Sequence, residues 1–201
     1  EMCIRDSQRG ILMQEAVPVG GGAMAAILAL DAAAIEEVTG AMEGVWIANY
    51  NCPGQIVISG EKAAVEEACE KLKAAGAKRA VMLNVSGPFH SGMLADAGEK
   101  LGEVLSQVEL HEPQIPYVAN VTAQYVKSAA EVKELLTRQV SSSVRWQQSV
   151  EAMIADGVDT FIEIGPGKTL AGFMRKISRD VKTLNVEKLE DIGKVAEALK
   201  S

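Results

Sequence analysis

The chain is poor in aromatic residues, which fill 4% of its 201 positions. Proteins that hold single-stranded nucleic acid stack bases on aromatic rings, so that class of ligand is a poor match. Positive charge is not in excess either. Twenty basic against 27 acidic residues give a net charge of −7, whereas duplex binding needs a basic face that displaces counterions. Adhesion to anionic lipid needs a basic cluster. No apolar run approaches the roughly 18 residues of a membrane-spanning helix. Cysteine is scarce and odd in number, with Cys3, Cys52 and Cys69 forming no C-x-x-C pair. Neither a disulfide framework nor a zinc ribbon follows from that set. Reduced thiols and the lack of a secretory signal lead us to expect a cytoplasmic protein. There are only two histidines, His90 and His111, with no clustered acids beside them, so no metal site is expected.

What is present is a globular composition. Apolar residues make up 48% and charged residues 23%, enough to offset chain entropy. A chain of this length typically buries ~70% of its unfolded surface.

The first seven residues, EMCIRDS, show neither helical nor strand period, and we set them aside as a truncated or foreign terminus. From Gly20 the pattern is regular. Gly22–Leu30 predicts a strand, and Asp31 predicts the cap of a helix carrying Ile35, Val38 and Met42. Val45–Asn49 and Gln55–Ser59 predict two strands joined by the turn Asn51–Gly54. Ser59 is expected to cap a helix that buries Val65, Cys69 and Leu72 and ends at Gly76. Ala77–Leu83 completes a β-α-β-β-α-β unit, the ferredoxin-like arrangement.

After Asn84, Leu94 through Val108 predict an amphipathic helix, Ile115–Val121 a strand, and Ser128-x-x-Glu131 a capping box. A helix from Trp146, a strand at Val158–Ile164, a helix from about Thr169, a strand at Lys182–Val186 and a last helix follow. Alternation of this kind predicts a mainly parallel sheet. The expected fold is α/β, with residues 20–84 as a ferredoxin-like subdomain. Residues 1–19 and 85–201 are then parts of a larger α/β domain whose first half is absent.

Two glycine-rich stretches imitate nucleotide loops. Gly165-Pro166-Gly167-Lys168-Thr169 resembles the end of a P-loop, but Ile162 stands where the first glycine belongs, and Pro166 lacks an N–H donor. Gly20-Gly21-Gly22-Ala23-Met24-Ala25 fits a dinucleotide fingerprint by letter, yet it precedes a strand instead of opening a helix. We read the first as a strand-to-helix turn and the second as a linker. His111 sits in a charged loop and is expected to be solvated. His90 sits in the sharp loop Asn84–Ser91, where catalytic groups are often held, although a lone loop histidine is more often structural. A serine partner for it would need a G-x-S-x-G elbow. Ser86, Ser91 and Ser141–Ser143 do not provide one.

Six segments in order carry a resemblance. They are Arg9-Gly10 with Met13–Pro18, Gly22–Ala26, Asn49–Gln55, Gly76–Arg79, Val85–Ser91 and Glu163–Lys168. Together they closely resemble the bacterial malonyl-CoA:acyl carrier protein transacylase family of fatty-acid synthesis, from about residue 8 to the C-terminus. The resemblance implies an α/β-hydrolase-like domain carrying a ferredoxin-like insertion, and a ping-pong acyl transfer that uses no cofactor beyond its substrates. Malonyl-CoA and acyl carrier protein are the implied partners, and a monomer is expected. His90 matches the family's catalytic histidine, and Arg9 matches the arginine that grips the malonyl carboxylate. Gln139 matches a position whose backbone carbonyl orients the histidine ring. Phe89, directly before His90, is expected to crowd an α-methyl branch. The family's G-H-S-x-G elbow and its G-Q-G-S segment have no counterpart here and would lie upstream of residue 1. The chain therefore reads as the C-terminal two-thirds of such an enzyme, inactive without the nucleophile.

Docking of an acidic carrier calls for a local basic patch. Arg175, Lys176 and Arg179 on the helix after Gly167, with Lys182 just beyond, are the first candidate. Lys78 and Arg79 are the second. Two other readings stand beside the main one: a polyketide-synthase acyltransferase domain, and a non-catalytic ferredoxin-like binding module.

Overall fold

The computed structural model describes residues 2–18, 20–85 and 87–200, with side chains described from Ser7 onward. Ser86, weighed above as a hydroxyl near His90, lies outside the described residues. The fold is mixed α/β and divides into two compact units, Glu1–Ser149 and Val150–Ser201.

The first unit opens with α1 (Met2–Glu15), so the aperiodic first residues continue a helix and the reading of no helix there is corrected. The stripe that anchors this helix, Met13 with Val17 just beyond its end, lies further along the chain, and a search of the first seven positions alone could not find it. Next comes β1 (Gly22–Leu28), α2 (Ala32–Gly40), β2 (Val45–Cys52), β3 (Gln55–Glu61), α3 (Lys62–Ala74) and β4 (Arg79–Met82). The strands form one antiparallel sheet in the order β2-β3-β1-β4. Successive side chains of a strand point to opposite faces. Ala25 and Ile27 of β1, with Ile56 and Ile58 of β3, bury against Ile35 of α2 and Val65, Ala68 and Leu72 of α3. Met24, Ala48 and Val57 form a smaller cluster of their own, against which Phe89 packs.

Local details depart from the sequence reading. β2 runs through Asn51 and Cys52, leaving a two-residue turn at Pro53-Gly54, where Gly54 has φ of +72°. Ser59 is not a helix cap. It is wholly buried inside β3, because β1 offers pairing partners as far as Glu61. Asp31 and Ser128 occupy N-cap positions, but neither side chain makes a capping hydrogen bond. The expected capping box is absent; Glu112 instead accepts from the Ala129 N–H at 3.0 Å.

Beyond β4, a 3-10 turn (Gly92–Leu94) leads into α4 (Ala95–Ser106). The strand expected at Ile115–Val121 shrinks to β5 (Val118–Ala119), paired antiparallel with β6 (Gln124–Tyr125). Pro113 and Pro116 cannot donate to a ladder, and Ile115 is left 79% exposed. α4 packs against both α5 (Ala129–Ser141) and α1, in a cluster that includes Met13, Leu101, Leu105 and Val140.

α6 (Trp146–Ala155) runs across the division between the units. The second unit then holds β7 (Thr160–Ile164), α7 (Thr169–Ile177), β8 (Lys182–Val186) and α8 (Leu189–Ala198). β7 and β8 pair in parallel, the only parallel pair of strands among the described residues. The expectation of a mainly parallel sheet is thus corrected. Parallel pairing needs a long crossover; α2 and α3 each supply one, but β3 lies between β1 and β2 and β1 lies between β3 and β4, so only β7 and β8, joined through α7, become parallel neighbours. Among the described residues no helix is long and apolar enough to cross a membrane.

Candidate active site

The loop between β4 and α4 is fixed at several points. Pro88 sits so close to Gly22 at the head of β1 that a Cβ there would lie 2.4 Å from the proline ring. The hydroxyl of Ser91, fully buried, donates to the Pro88 carbonyl at 2.6 Å. Between them His90 is held at φ of +58°, a left-handed conformation that costs a non-glycine residue of order 1 kcal/mol and persists only where the surroundings enforce it.

Nδ1 of His90 lies 3.0 Å from the backbone carbonyl of Gln139. A carbonyl can only accept, so Nδ1 carries the proton and donates, and Nε2 of the neutral ring keeps its lone pair. The His90 pKa lies below the ordinary imidazole value. Burial is the main cause, and the Arg9 guanidinium adds to it; the backbone carbonyls of Gln139 and, less strongly, Ser142 pull the other way. The ring is therefore neutral near pH 7, the state a general base requires.

Gln139 can offer its carbonyl because of where α5 stops. The last four carbonyls of a helix have no intrahelical partner, and Gln139 is the third residue from the end. Ser142 beyond it is already extended.

Arg9 of α1 lines the same cavity as Phe89 and His90, a space of about 530 Å³. Its apolar wall includes Met13, Met24 and Val57, and its polar wall includes Gln14, Asn49 and Asn51. The fold thus brings together Arg9, Phe89 and His90, with Gln139 behind the imidazole. Asn49 and Asn51 received no role in the sequence reading. The signal lay in Asn49–Gln55, quoted only as a resemblance: β2 is bulged between Ile47 and Asn49 and again between Tyr50 and Cys52, and bulges commonly re-aim side chains beside sites.

The basic candidates are elsewhere. Lys78 and Arg79 are exposed at the start of the edge strand β4. In the second unit Arg175, Lys176, Arg179 and Lys182 are exposed. α7 ends at Ile177, so Arg175 and Arg179 do not share a helical face as the four-residue spacing suggested. They nevertheless line one cavity of about 510 Å³ with Ser178, Val181 and Thr183. Lys182 donates to the Ala198 carbonyl. His111 is exposed. At the P-loop imitation, the first-turn amides of Leu170 and Ala171 donate to the Glu163 carboxylate at 3.0 and 2.8 Å. The chain's own acid holds the place of a phosphate there.

Residues 7–198 match the acyl transferase domain family. The chain is 49% identical over 197 residues to the malonyl CoA-acyl carrier protein transacylase of Bacillus subtilis (strain 168), covering 96% of this chain and 62% of that protein. The crystal structure of a malonyl CoA-acyl carrier protein transacylase from Clostridium perfringens superposes with a TM-score of 0.93 at 43% identity, over 98% of this chain and 63% of the other. A malonyl-transacylase in complex with its type II PKS acyl-carrier protein gives 0.94 at 40% identity, over 97% and 64%. The chain spans less than two-thirds of the length of each of these. With a family match running through both units, the chain belongs to the acyl transferase domain family.

Proposed function

We propose that this chain is the C-terminal two-thirds of an enzyme that moves a malonyl group from malonyl-CoA to the phosphopantetheine thiol of acyl carrier protein. Residues 20–84 are read as a ferredoxin-like subdomain inserted in an α/β-hydrolase-like domain to which 1–19 and 85–201 belong. The observation that carries the reading is the pairing of a neutral, carbonyl-anchored His90 with Arg9 in one cavity. One group can take a proton, and the other can hold a carboxylate through a planar, bidentate fork.

In the proposed reaction a serine contributed by sequence upstream of residue 1 attacks the malonyl thioester. Nε2 of His90 takes its proton, and the CoA thiolate leaves and is protonated from the imidazolium. His90 next deprotonates the carrier's thiol, which takes the malonyl group and frees the serine. The positive ring formed in each half-reaction faces the Gln139 carbonyl dipole in place of a carboxylate. The reaction needs no cofactor beyond the two substrates, and a cytoplasmic monomer is the proposed form. Phe89 against the cavity would disfavour an α-methyl branch by about 1–3 kcal/mol. Arg175, Lys176, Arg179 and Lys182, or Lys78 and Arg79, are the proposed carrier contacts. The likeness to a transacylase solved with a type II PKS carrier favours the same chemistry in polyketide synthesis as the second reading.

The test is the chain extended upstream to its relatives' length. It should load malonyl from malonyl-CoA onto a serine, prefer it to methylmalonyl-CoA, and pass it to carrier protein. Arg175→Glu with Arg179→Glu should raise the apparent KM for carrier and flatten its salt dependence while loading stays near normal. The 201-residue chain alone should transfer nothing above a His90→Ala control. Failure of the extended chain to load malonyl would overturn the reading.

A further inference from the structure

The resemblance assigns Gln139 only a backbone carbonyl, a role open to any residue. Its side chain is not idle. The Gln139 amide Nε2 donates to the carbonyl of Ser142 at 2.9 Å and to that of Ser143 at 3.3 Å. These are the first residues past the end of α5, where the chain has turned extended.

That turned segment is tied to the sheet. Val144 N–H donates to Ala48 at 2.7 Å, Tyr50 N–H donates back to Val144 at 2.9 Å, and the Ser143 hydroxyl donates to Ile47. The exchange makes a parallel bridge between Asn49 and Val144, and Arg145 adds its guanidinium over the Tyr50 ring at 5.6 Å. Residues 143–145 thus continue the edge of β2 at its bulge, beside Asn49.

The consequence is a chain of fixed contacts. β2 holds Ser143 and Val144, Ser142 and Ser143 hold the Gln139 amide, and the Gln139 carbonyl holds Nδ1 of His90. Both hydrogens of one amide are used to stop α5 where its third-last carbonyl is left for the imidazole. Without them the end of α5 is free to wind further or fray, as helix ends do, and the carbonyl shifts relative to the ring. We propose that the Gln139 side chain is a positioning residue that registers the His90-orienting carbonyl to the bulged edge of β2.

The role rests on reading His90 as the base, yet its test does not depend on acyl transfer. In the 201-residue chain, 15N NMR of His90 should report the Nδ1–H tautomer for the wild type. Gln139→Met, close in size but unable to donate, should lose a large share of that tautomer to Nε2–H, with the unfolding midpoint little changed. Ser143→Ala, which keeps the Ser143 carbonyl and both Val144 bonds to β2 but loses the hydroxyl bond to Ile47, should shift the tautomer less than Gln139→Met does. If Gln139→Met fails to fold, Gln139→Leu decides in the same way, because it too has no hydrogen to donate to either carbonyl and adds no charge beside the imidazole. A wild-type tautomer in the folded variant overturns the proposal. In the extended enzyme Gln139→Met should lower kcat roughly tenfold or more, as small misplacements of a catalytic group do, with KM nearly unchanged. Should the wild-type extended enzyme transfer no malonyl, the proposed function fails while the tautomer result still judges the clamp.

Discussion

The β1–β4 region and the stretch from Val85 to Arg145 are stabilised in different ways. In the first, an antiparallel sheet and two helices enclose Ile27, Ile35, Ile58, Val65 and Leu72, all wholly buried. In the second, strands are two residues long, and His90 sits in a left-handed conformation. There the Ser91 hydroxyl, the Gln139 carbonyl and the Gln139 amide fix the geometry. The first region holds its shape by burying area, which is non-directional. The second has a buried cluster of its own around Leu94, Leu101, Leu105 and Val140, but the parts that face the site are set by directional hydrogen bonds, and the candidate chemistry lies there, where small displacements matter most.

The sharpest test of that contrast is His90→Ala in the extended enzyme. General-base catalysis typically contributes 10²- to 10⁴-fold, so malonyl loading should fall by about that range while the unfolding midpoint stays close to wild type. Leu72→Ala should do the reverse. It removes a side chain with no exposed surface from the helix–sheet core, at a cost of about 2–5 kcal/mol. Denaturant unfolding should show that loss, and kcat should be little altered. A large activity loss from Leu72→Ala at temperatures where it stays folded would erase the distinction.

Gly22→Ala is designed to break it, because Gly22 belongs to both regions. Its Cβ would meet the Pro88 ring at 2.4 Å, so either β1 or the His90 loop must move. Overpacking of this kind costs about 1–3 kcal/mol. Both the unfolding midpoint and malonyl loading should fall together, unlike in either preceding variant.

How much of this could be read from the sequence follows the same divide. Val65, Cys69 and Leu72 recur at helical spacing and do bury, and the β-α-β-β-α-β order is present because periodic burial is what sequence patterns record. The misreadings there were at edges. Ser59 looked like a cap until β1 was seen to pair as far as Glu61. The site was legible only through resemblance. Arg9 carries no local signal, and nothing in the letters around Gln139 shows that α5 ends where its carbonyl meets an imidazole 49 residues away. Backbone groups leave no trace in composition or period. Asn49 and Asn51 reach the cavity through bulges in β2, which a strict two-residue alternation cannot anticipate.

Each region also holds one titratable ring drawn out of water, Tyr50 buried and His90 half-buried, and the two should set opposite limbs of the stability–pH profile. Tyr50 of β2 is pushed up to about 12, first by burial and then by its hydrogen bond to Glu36. Between about 10 and about 12 the unfolded chain has lost a proton that the folded chain keeps, so stability falls as pH rises. The loss is on the order of 2 kcal/mol, and Tyr50→Phe should flatten this limb. His90 has the smaller effect and the opposite direction. Its pKa is lowered, chiefly by burial. As pH falls below the ordinary value of about 6.5, the unfolded chain gains a proton that the folded chain refuses, so stability falls with acidification until the folded pKa is reached. His90→Gln should flatten that acid limb while leaving the alkaline one intact. Arg9→Gln should shift the limb the other way from further burial, raising the His90 pKa, since the guanidinium is one of the groups that lowers it. Thermal unfolding of the three variants across pH, with NMR titration of His90, measures both limbs. An acid limb unchanged in His90→Gln would show that the imidazole is not held neutral by its surroundings, and the contrast between a core built on area and a site built on direction would lose its electrostatic half.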